Sequence, residues 1–250
     1  MSKKNLIIGS TMTVEPIHLP MKNTIQAAMD VKIADPGRFQ RKLMDLSWLS
    51  AAAPEYHISP NLSDYQFGRV RSLTAELPNR NGHNFQFKEL VAFCIKSGNQ
   101  YYRTFEGKPM LVNHEYVLPK AIGVNVLTSL VQDGSYIVVE NIIAIDRTKN
   151  AKAAEEVRLG TAKFSMGATA PAFECSICKE IITDLENPCS HTKSTALLHP
   201  FFDITKNEPE RSEQAILAYL NVQKPLFHEL SYLDGQLPAD PRAWSRDTSI

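Results

Sequence analysis

The first third of the chain carries apolar residues at helical spacing. They recur every three or four positions between residues 39 and 49, and Asp35-Pro36 just before them is a helix-start signal. This pattern predicts a helix that ends at Pro54. A second apolar run at 86–97 predicts another helix, which closes at Gly98.

From residue 101 onward the pattern changes to short runs rich in β-branched and aromatic residues, separated by turns that contain Gly, Pro or Asp. Such runs are typical of strands. They lie at 101–105, 110–113, 122–127, 136–145, 161–169 and 226–233, with an earlier one at 69–75. Helices are predicted at 150–157 and 208–221. The sum is an α+β fold, with strands at its centre and helices around them.

Charge and hydropathy exclude several classes of protein. The 250 residues contain 27 basic and 27 acidic side chains, so no net charge favours binding to nucleic acid or to an acidic membrane. The apolar run at 6–8 is too short for a signal peptide, and no run approaches the 18 or so residues of a membrane span. We therefore expect the protein to stay in the cytoplasm in which it is made.

Three of the four cysteines lie close together with a histidine beside the last, in the pattern Cys-x2-Cys-x10-Cys-x-His. These residues are Cys175, Cys178, Cys189 and His191. Four such ligands at short spacing can close a tetrahedron around Zn²⁺, and because no position is left for water, the site is expected to be structural. A redox dithiol is the rival interpretation, and His199 is an alternate fourth ligand.

Three segments carry a second kind of signal. Residues 102–114 read YRTFEGKPMLVNH, residues 163–167 read KFSMG, and residues 226–243 contain LFHELSYL followed by PADPRA. In this order and spacing they resemble the prohead (capsid maturation) serine proteases of tailed phages, which are related in fold to herpesvirus assemblin. The resemblance covers about residues 65–245, and it implies a β-barrel-like core of short strands flanked by helices.

The resemblance also implies a catalytic site. His114 would be the base, Ser165 the nucleophile and Glu229 the acid that orients the histidine, on a scaffold where adjacent strands bring His and Ser together. Gly167 is expected to leave room for a substrate backbone. The identity of the third member stays open, and the alternatives to Glu229 are His228, His191 and Asp184. His228 is an alternative because assemblins use a second histidine as the orienting residue.

We expect the chain to divide into an N-terminal arm or helical segment at 1–60, a protease domain at 61–245 with a zinc knuckle inserted at about 172–195, and a tail at 246–250. It would cleave the scaffold and major capsid protein precursors, and itself, inside an assembling prohead in the host cytoplasm. Self-association stays open.

The alternative function is a non-catalytic phage head or scaffold protein that uses the knuckle to bind other proteins. A zinc-ribbon nucleic-acid binder is disfavoured, because acidic residues match the lysines around the cysteines.

Overall fold

A computed structural model describes residues 11–16, 35–79, 81–192 and 218–236, with only the backbone described at 11–16. His199, most of the predicted helix at 208–221 and the 238–243 motif lie outside the described residues. The strands, in chain order, are β1 Thr11–Pro16, β2 Tyr65–Thr74, β3 His83–Asn84, β4 Phe93–Cys94, β5 Asn99–Gln100, β6 Pro109–Val112, β7 Gly123–Asp133, β8 Tyr136–Asp146, β9 Lys163–Thr169, β10 Ala172–Cys175, β11 Ile181–Ile182, β12 Leu220–Gln223 and β13 Leu226–Tyr232. The helices are α1 Pro36–Asp45, α2 Ser47–Tyr56, α3 Phe87–Val91 and α4 Ala151–Arg158.

Seven strands form a barrel in the order β1-β2-β8-β7-β6-β13-β9. The strand β1 pairs with both β2 and β9, which closes the sheet. Neighbours are antiparallel except β6 and β13, which run parallel, so the sheet is mixed. The prediction of an α+β fold centred on a curled sheet of short strands is confirmed.

The barrel has two apolar faces. Alternate residues such as Met110, Phe164 and Leu230 fill its interior. Residues of the opposite parity on β2, β6, β7 and β8, such as Leu111, pack on the outside against α1 and α2. Because α1 and α2 precede residue 60, segments on both sides of that residue share one hydrophobic core.

The predicted helix through residues 39–49 is two helices. Leu46 adopts the left-handed conformation, with φ of 51°, and its N–H donates to the Lys42 carbonyl, which ends α1. The change of direction lets both helices bury their apolar faces on the barrel. The expected stop at Pro54 is also wrong, because α2 continues through Pro54 to Tyr56, where the His57 N–H donates to the Ala53 carbonyl and closes the helix.

The predicted helix at 86–97 is wrong beyond its first turn. The helix α3 has five residues, and the chain then forms the hairpin β4–β5, with Gly98 at φ of 68° in its turn. Residues 101–105 form a 3-10 helix instead of the predicted strand. Its last residue, Phe105, stacks on Phe227 with ring centroids 4.0 Å apart, so burial of an aromatic ring overrides the local β pattern.

A second, four-stranded sheet has the order β11-β10-β12-β3 and carries the cysteine cluster at one end. The strand β12 occupies the end of the predicted helix at 208–221, so that prediction is wrong for residues 220 and 221. None of the helices in the part of the chain that the structure describes has the length and apolar character of a membrane-spanning segment.

Candidate functional site

The three candidate catalytic residues lie on neighbouring elements of the barrel. His114 follows β6, Glu229 lies on β13, and Ser165 lies on β9. The expectation that the His and Ser strands are adjacent is wrong, because β13 lies between them and pairs with β6 on one side and β9 on the other. The strand that carries Glu229 is therefore next to both the strand that precedes His114 and the strand that carries Ser165.

Strand register places Ser165 and Glu229 on the same, outer face of the barrel. Ser231 is directly opposite Ser165, and Glu229 is directly opposite Gly167. Directly opposed residues of antiparallel strands point to the same side of a sheet. The residues between them, such as Met166 and Leu230, fill the barrel interior. On β9 and β13, the outward-facing side chains at these positions are therefore polar, whereas the inward-facing ones belong to the hydrophobic core.

A β-bulge at His228 produces this arrangement. Phe227 pairs with Ala168 and Glu229 pairs with Gly167, so His228 is an extra residue in β13. Without it, Phe227 and Glu229 would share a face by strict alternation. With it, Phe227 is in the barrel core and Glu229 faces outward beside Ser231. The bulge thus brings the carboxylate to the same face as Ser165.

His114 and Glu229 form a direct hydrogen bond. The imidazole Nδ1 is 2.7 Å from the Glu229 Oε1, and the exposed fractions of the two side chains are 21% and 3%. When the carboxylate accepts the Nδ1–H of a neutral imidazole, the Nε2 keeps its lone pair and can accept a proton from a hydroxyl. This is the tautomer that a general base requires.

Gly167 makes room for the acid. A β-carbon at this position would lie closer than 3.0 Å to three atoms of the Glu229 side chain. The carboxylate therefore rests on the backbone of β9, two residues from Ser165. Gly167 was expected to leave room for a substrate backbone, and the structure shows that the Glu229 side chain occupies that space.

The backbone that presents His114 is unusual. Asn113 and His114 both have left-handed conformations, with φ of 49° and 61°. The Asn113 N–H donates to the Tyr232 carbonyl over 2.9 Å, and the Asn113 Oδ1 accepts from the Asp234 N–H over 2.9 Å. Consecutive left-handed residues other than glycine are costly and persist only where surrounding contacts hold them. Asn113 is not among the residues predicted from the sequence, although asparagine is a residue type that tolerates this conformation.

Ser165 is almost fully enclosed, with 3% of its surface exposed. Among the described residues, no hydrogen bond joins its hydroxyl to the His114 ring. Catalytic hydrogen bonds of this type often tighten only when substrate is bound. The structure thus brings His114 and Glu229 together and places Ser165 on the strand next to that of Glu229, on the same face of the sheet.

The three alternative third members lie elsewhere. The His228 ring contacts Tyr116 at 5.7 Å between centroids, and burial lowers its pKa. His191 belongs to the cysteine cluster. The Asp184 carboxylate accepts hydrogen bonds from the Glu186 N–H and the Asn187 side chain within its own turn. Glu229 is the one of the four candidates whose side chain is hydrogen-bonded to His114.

The predicted cysteine cluster is present. One ligand atom from each of Cys175, Cys178, Cys189 and His191 lies within 4.8 Å of all the others. A tetrahedral site with Zn–S bonds of about 2.3 Å requires separations of roughly 4 Å, so the four donors need only a small contraction to hold a metal. Three thiols and an imidazole are a donor set that fits zinc.

Local hydrogen bonds shape the cluster. The Ile177 N–H donates to the Cys175 Sγ over 3.4 Å, and the Lys179 N–H closes the turn onto the Cys175 carbonyl. Burial would raise the pKa of the Cys189 thiol, but hydrogen bonds with Thr192, Cys175 and His191 outweigh it and lower that pKa to about 6. These hydrogen bonds favour the thiolate of Cys189, which is the form that binds metal, whereas the pKa of the Cys178 thiol is raised, because a lowering backbone hydrogen bond from Glu180 is outweighed by desolvation and by hydrogen bonds with Cys175 and Cys189.

Comparison with protein family models, with curated proteins and with solved structures finds nothing that matches this chain.

Proposed function

We propose that the protein is a serine endopeptidase in which His114, Ser165 and Glu229 act together. The observation that supports this most is the 2.7 Å hydrogen bond between the His114 Nδ1 and the buried Glu229, on the face of the barrel that Ser165 shares. A histidine oriented by a buried acid beside a serine is the arrangement that activates a hydroxyl as a nucleophile. Triads are recognised by geometry and role, so their occurrence on this barrel needs no particular chain order.

The proposed chemistry has two steps. The Ser165 Oγ attacks the carbonyl carbon of the scissile peptide as its proton passes to the His114 Nε2, and Glu229 stabilises the resulting imidazolium. The imidazolium then gives its proton to the leaving amine, which breaks the C–N bond and leaves an acyl-enzyme. A water molecule, deprotonated by His114, attacks the acyl carbon and releases the carboxylic acid and the free serine.

The substrates proposed for this activity follow from the sequence resemblance. They are the scaffold and major capsid protein precursors of a tailed phage, together with the enzyme itself, cleaved inside the assembling prohead in the host cytoplasm. The burial of Ser165 favours a second candidate, a non-catalytic phage head or scaffold protein that binds others through its knuckle, because a nucleophile with 3% exposure needs an opening before substrate can reach it.

An activity screen that needs no known substrate separates the two candidates. The full chain is incubated with a peptide library made from a proteome digest, and new termini are identified by mass spectrometry. We expect cleavage by the native protein and none by the Ser165→Ala or His114→Ala variants. Co-expression with a capsid or scaffold precursor extends the test to proteins. Precursor processing that continues unchanged in Ser165→Ala would rule out the enzyme assignment.

We further propose that the cysteine cluster binds one structural Zn²⁺. The four side chains would supply every ligand of a tetrahedral site, so the ion would hold together the end of the second sheet without providing a position for a reactive water. Metal analysis of the purified protein tests this. Less than about half an equivalent of zinc per chain would count against it.

A further inference from the structure

We propose that Ser231 is a positioning residue that holds both the acid and the base of the site in their working orientation. The inference rests on the proposed function, because it assigns a role within the same His114–Glu229 pair. Ser231 lies two residues after Glu229 on β13, directly opposite Ser165, and none of its surface is exposed. It is absent from the triad that the sequence predicts.

The first contact of Ser231 is with the acid. Its Oγ donates to the Glu229 Oε2 over 2.6 Å, while the other oxygen, Oε1, accepts from the His114 ring over 2.7 Å. The two hydrogen bonds fix the carboxylate at both oxygens, which sets the rotation of its plane. Charge-assisted hydrogen bonds of this kind are shorter and stronger than neutral ones.

The second contact is with the base. The backbone N–H of His114 donates to the same Ser231 Oγ over 3.0 Å. His114 has a left-handed φ of 61°, and a residue other than glycine keeps that conformation only where its neighbours enforce it. Ser231 thus acts on the imidazole twice, through the backbone that carries the ring and through the carboxylate that the ring contacts.

A serine suits this position because one hydroxyl has one proton to donate and lone pairs to accept with. The proton goes to Glu229, and a lone pair receives the His114 N–H. The same use argues against Ser231 as the nucleophile, since its proton is already directed at the acid. Ser231→Ala would remove the hydrogen-bond partner of the His114 backbone N–H and of the Glu229 Oε2.

The barrel provides a matched control. Ser72 on β2 is also fully buried, and its Oγ donates to the Val139 carbonyl over 3.1 Å. The variants Ser231→Ala and Ser72→Ala make the same chemical change at the same degree of burial. Only the first removes a partner of the site, so a difference in turnover between them reports positioning and not the general cost of losing a buried hydroxyl. Ser231→Thr retains the hydroxyl and serves as the conservative variant.

Two measurements on the full chain test the proposal. The first is kcat and KM on the best peptide from the screen. We expect kcat to fall roughly a hundredfold in Ser231→Ala with little change in KM, since a misplacement of about 1 Å can cost that much. Ser72→Ala should keep the native kcat, and Ser231→Thr should recover part of it. The second is amide hydrogen exchange, which requires no activity. Exchange at the His114 N–H should become at least about tenfold faster in Ser231→Ala, while the Asn113 N–H, which is bonded to the Tyr232 carbonyl, keeps its rate.

The outcomes are distinguishable. A native kcat in Ser231→Ala, in a protein that cleaves peptides through Ser165, overturns the positioning role and leaves the endopeptidase intact. Equal losses of kcat in Ser231→Ala and Ser72→Ala overturn it as well. Absence of any cleavage by the native protein overturns the endopeptidase instead. If the native protein cleaves nothing, an unchanged exchange rate at the backbone N–H of His114 in Ser231→Ala would also overturn the role of Ser231 in holding the backbone at His114.

Discussion

Replacement of Gly167 by alanine is the sharpest test of how the acid is held. The added β-carbon would lie closer than 3.0 Å to three atoms of Glu229, and the backbone of Gly167 is held in place by its antiparallel pairing with β13. The carboxylate must therefore retreat by about 1 Å, which can lower a rate roughly a hundredfold. Complete loss of the acid from a triad costs about 10⁴-fold. We expect kcat to fall between these limits.

A double-mutant cycle with Glu229→Ala shows whether the effect passes through the acid. Truncation of Glu229 removes the atoms that the new β-carbon would meet, so Gly167→Ala should add almost nothing in that background. If Gly167 instead makes room for a substrate backbone, the two losses should multiply. Multiplicative losses, or a native kcat in the Gly167→Ala single variant, would refute the structural argument.

Stability provides the control for this experiment. Overpacking at residue 167 is expected to cost about 1–3 kcal/mol of unfolding free energy. Gly37→Ala in α1 makes the same change where the nearest atom, on Arg41, is 3.7 Å away, so it should leave kcat unchanged. Because alanine is the better helix former, Gly37→Ala should also stabilise the protein by up to about 1 kcal/mol in urea denaturation.

Three further predictions concern stability. Burial lowers the pKa of His83 from 6.5 to about 4. Between these two pH values the unfolded chain binds a proton at His83 that the folded protein does not bind. The free energy of unfolding should therefore drop by about 3 kcal/mol as the pH falls from 6.5 to 4. His83→Phe, which keeps a ring beside Phe173, should abolish that dependence in denaturant titrations, and an unaltered pH slope would contradict it. Cys178→Ser should reduce bound zinc to well below one equivalent and lower the midpoint of thermal unfolding, whereas full zinc content would show that the cluster does not use this thiol. Asn150→Ala should cost about 1 kcal/mol by removing the 2.9 Å cap on the Ala153 N–H, and Asn150→Asp, which keeps the acceptor, should cost much less.

The sequence by itself determined the features that depend on neighbours along the chain. The long strand β8 and the capped helix α4 are close to their predicted positions, because alternation and capping are local properties. The strand β7 starts near the predicted run at 122–127 but continues to Asp133. The Cys-x2-Cys turn likewise predicts a cluster that the structure contains, since its geometry is set within a few residues. The segments containing His114, Ser165 and Glu229 were singled out because their order and spacing resemble those of a protease family, a comparison that requires no three-dimensional information.

Only the tertiary structure decided how those segments meet. Strand order is set by which edges pair, and it places β13 between the strands expected to be adjacent. The single extra residue at His228 reverses the face of everything after it, and alternation in the sequence does not reveal a bulge. The roles of Gly167 and Ser231 follow from contacts across strands more than 50 residues apart in sequence, in one case with a side chain and in the other with a backbone N–H. Such contacts arise from the pairing of β13 with β6 and β9, and no local pattern in the chain encodes them.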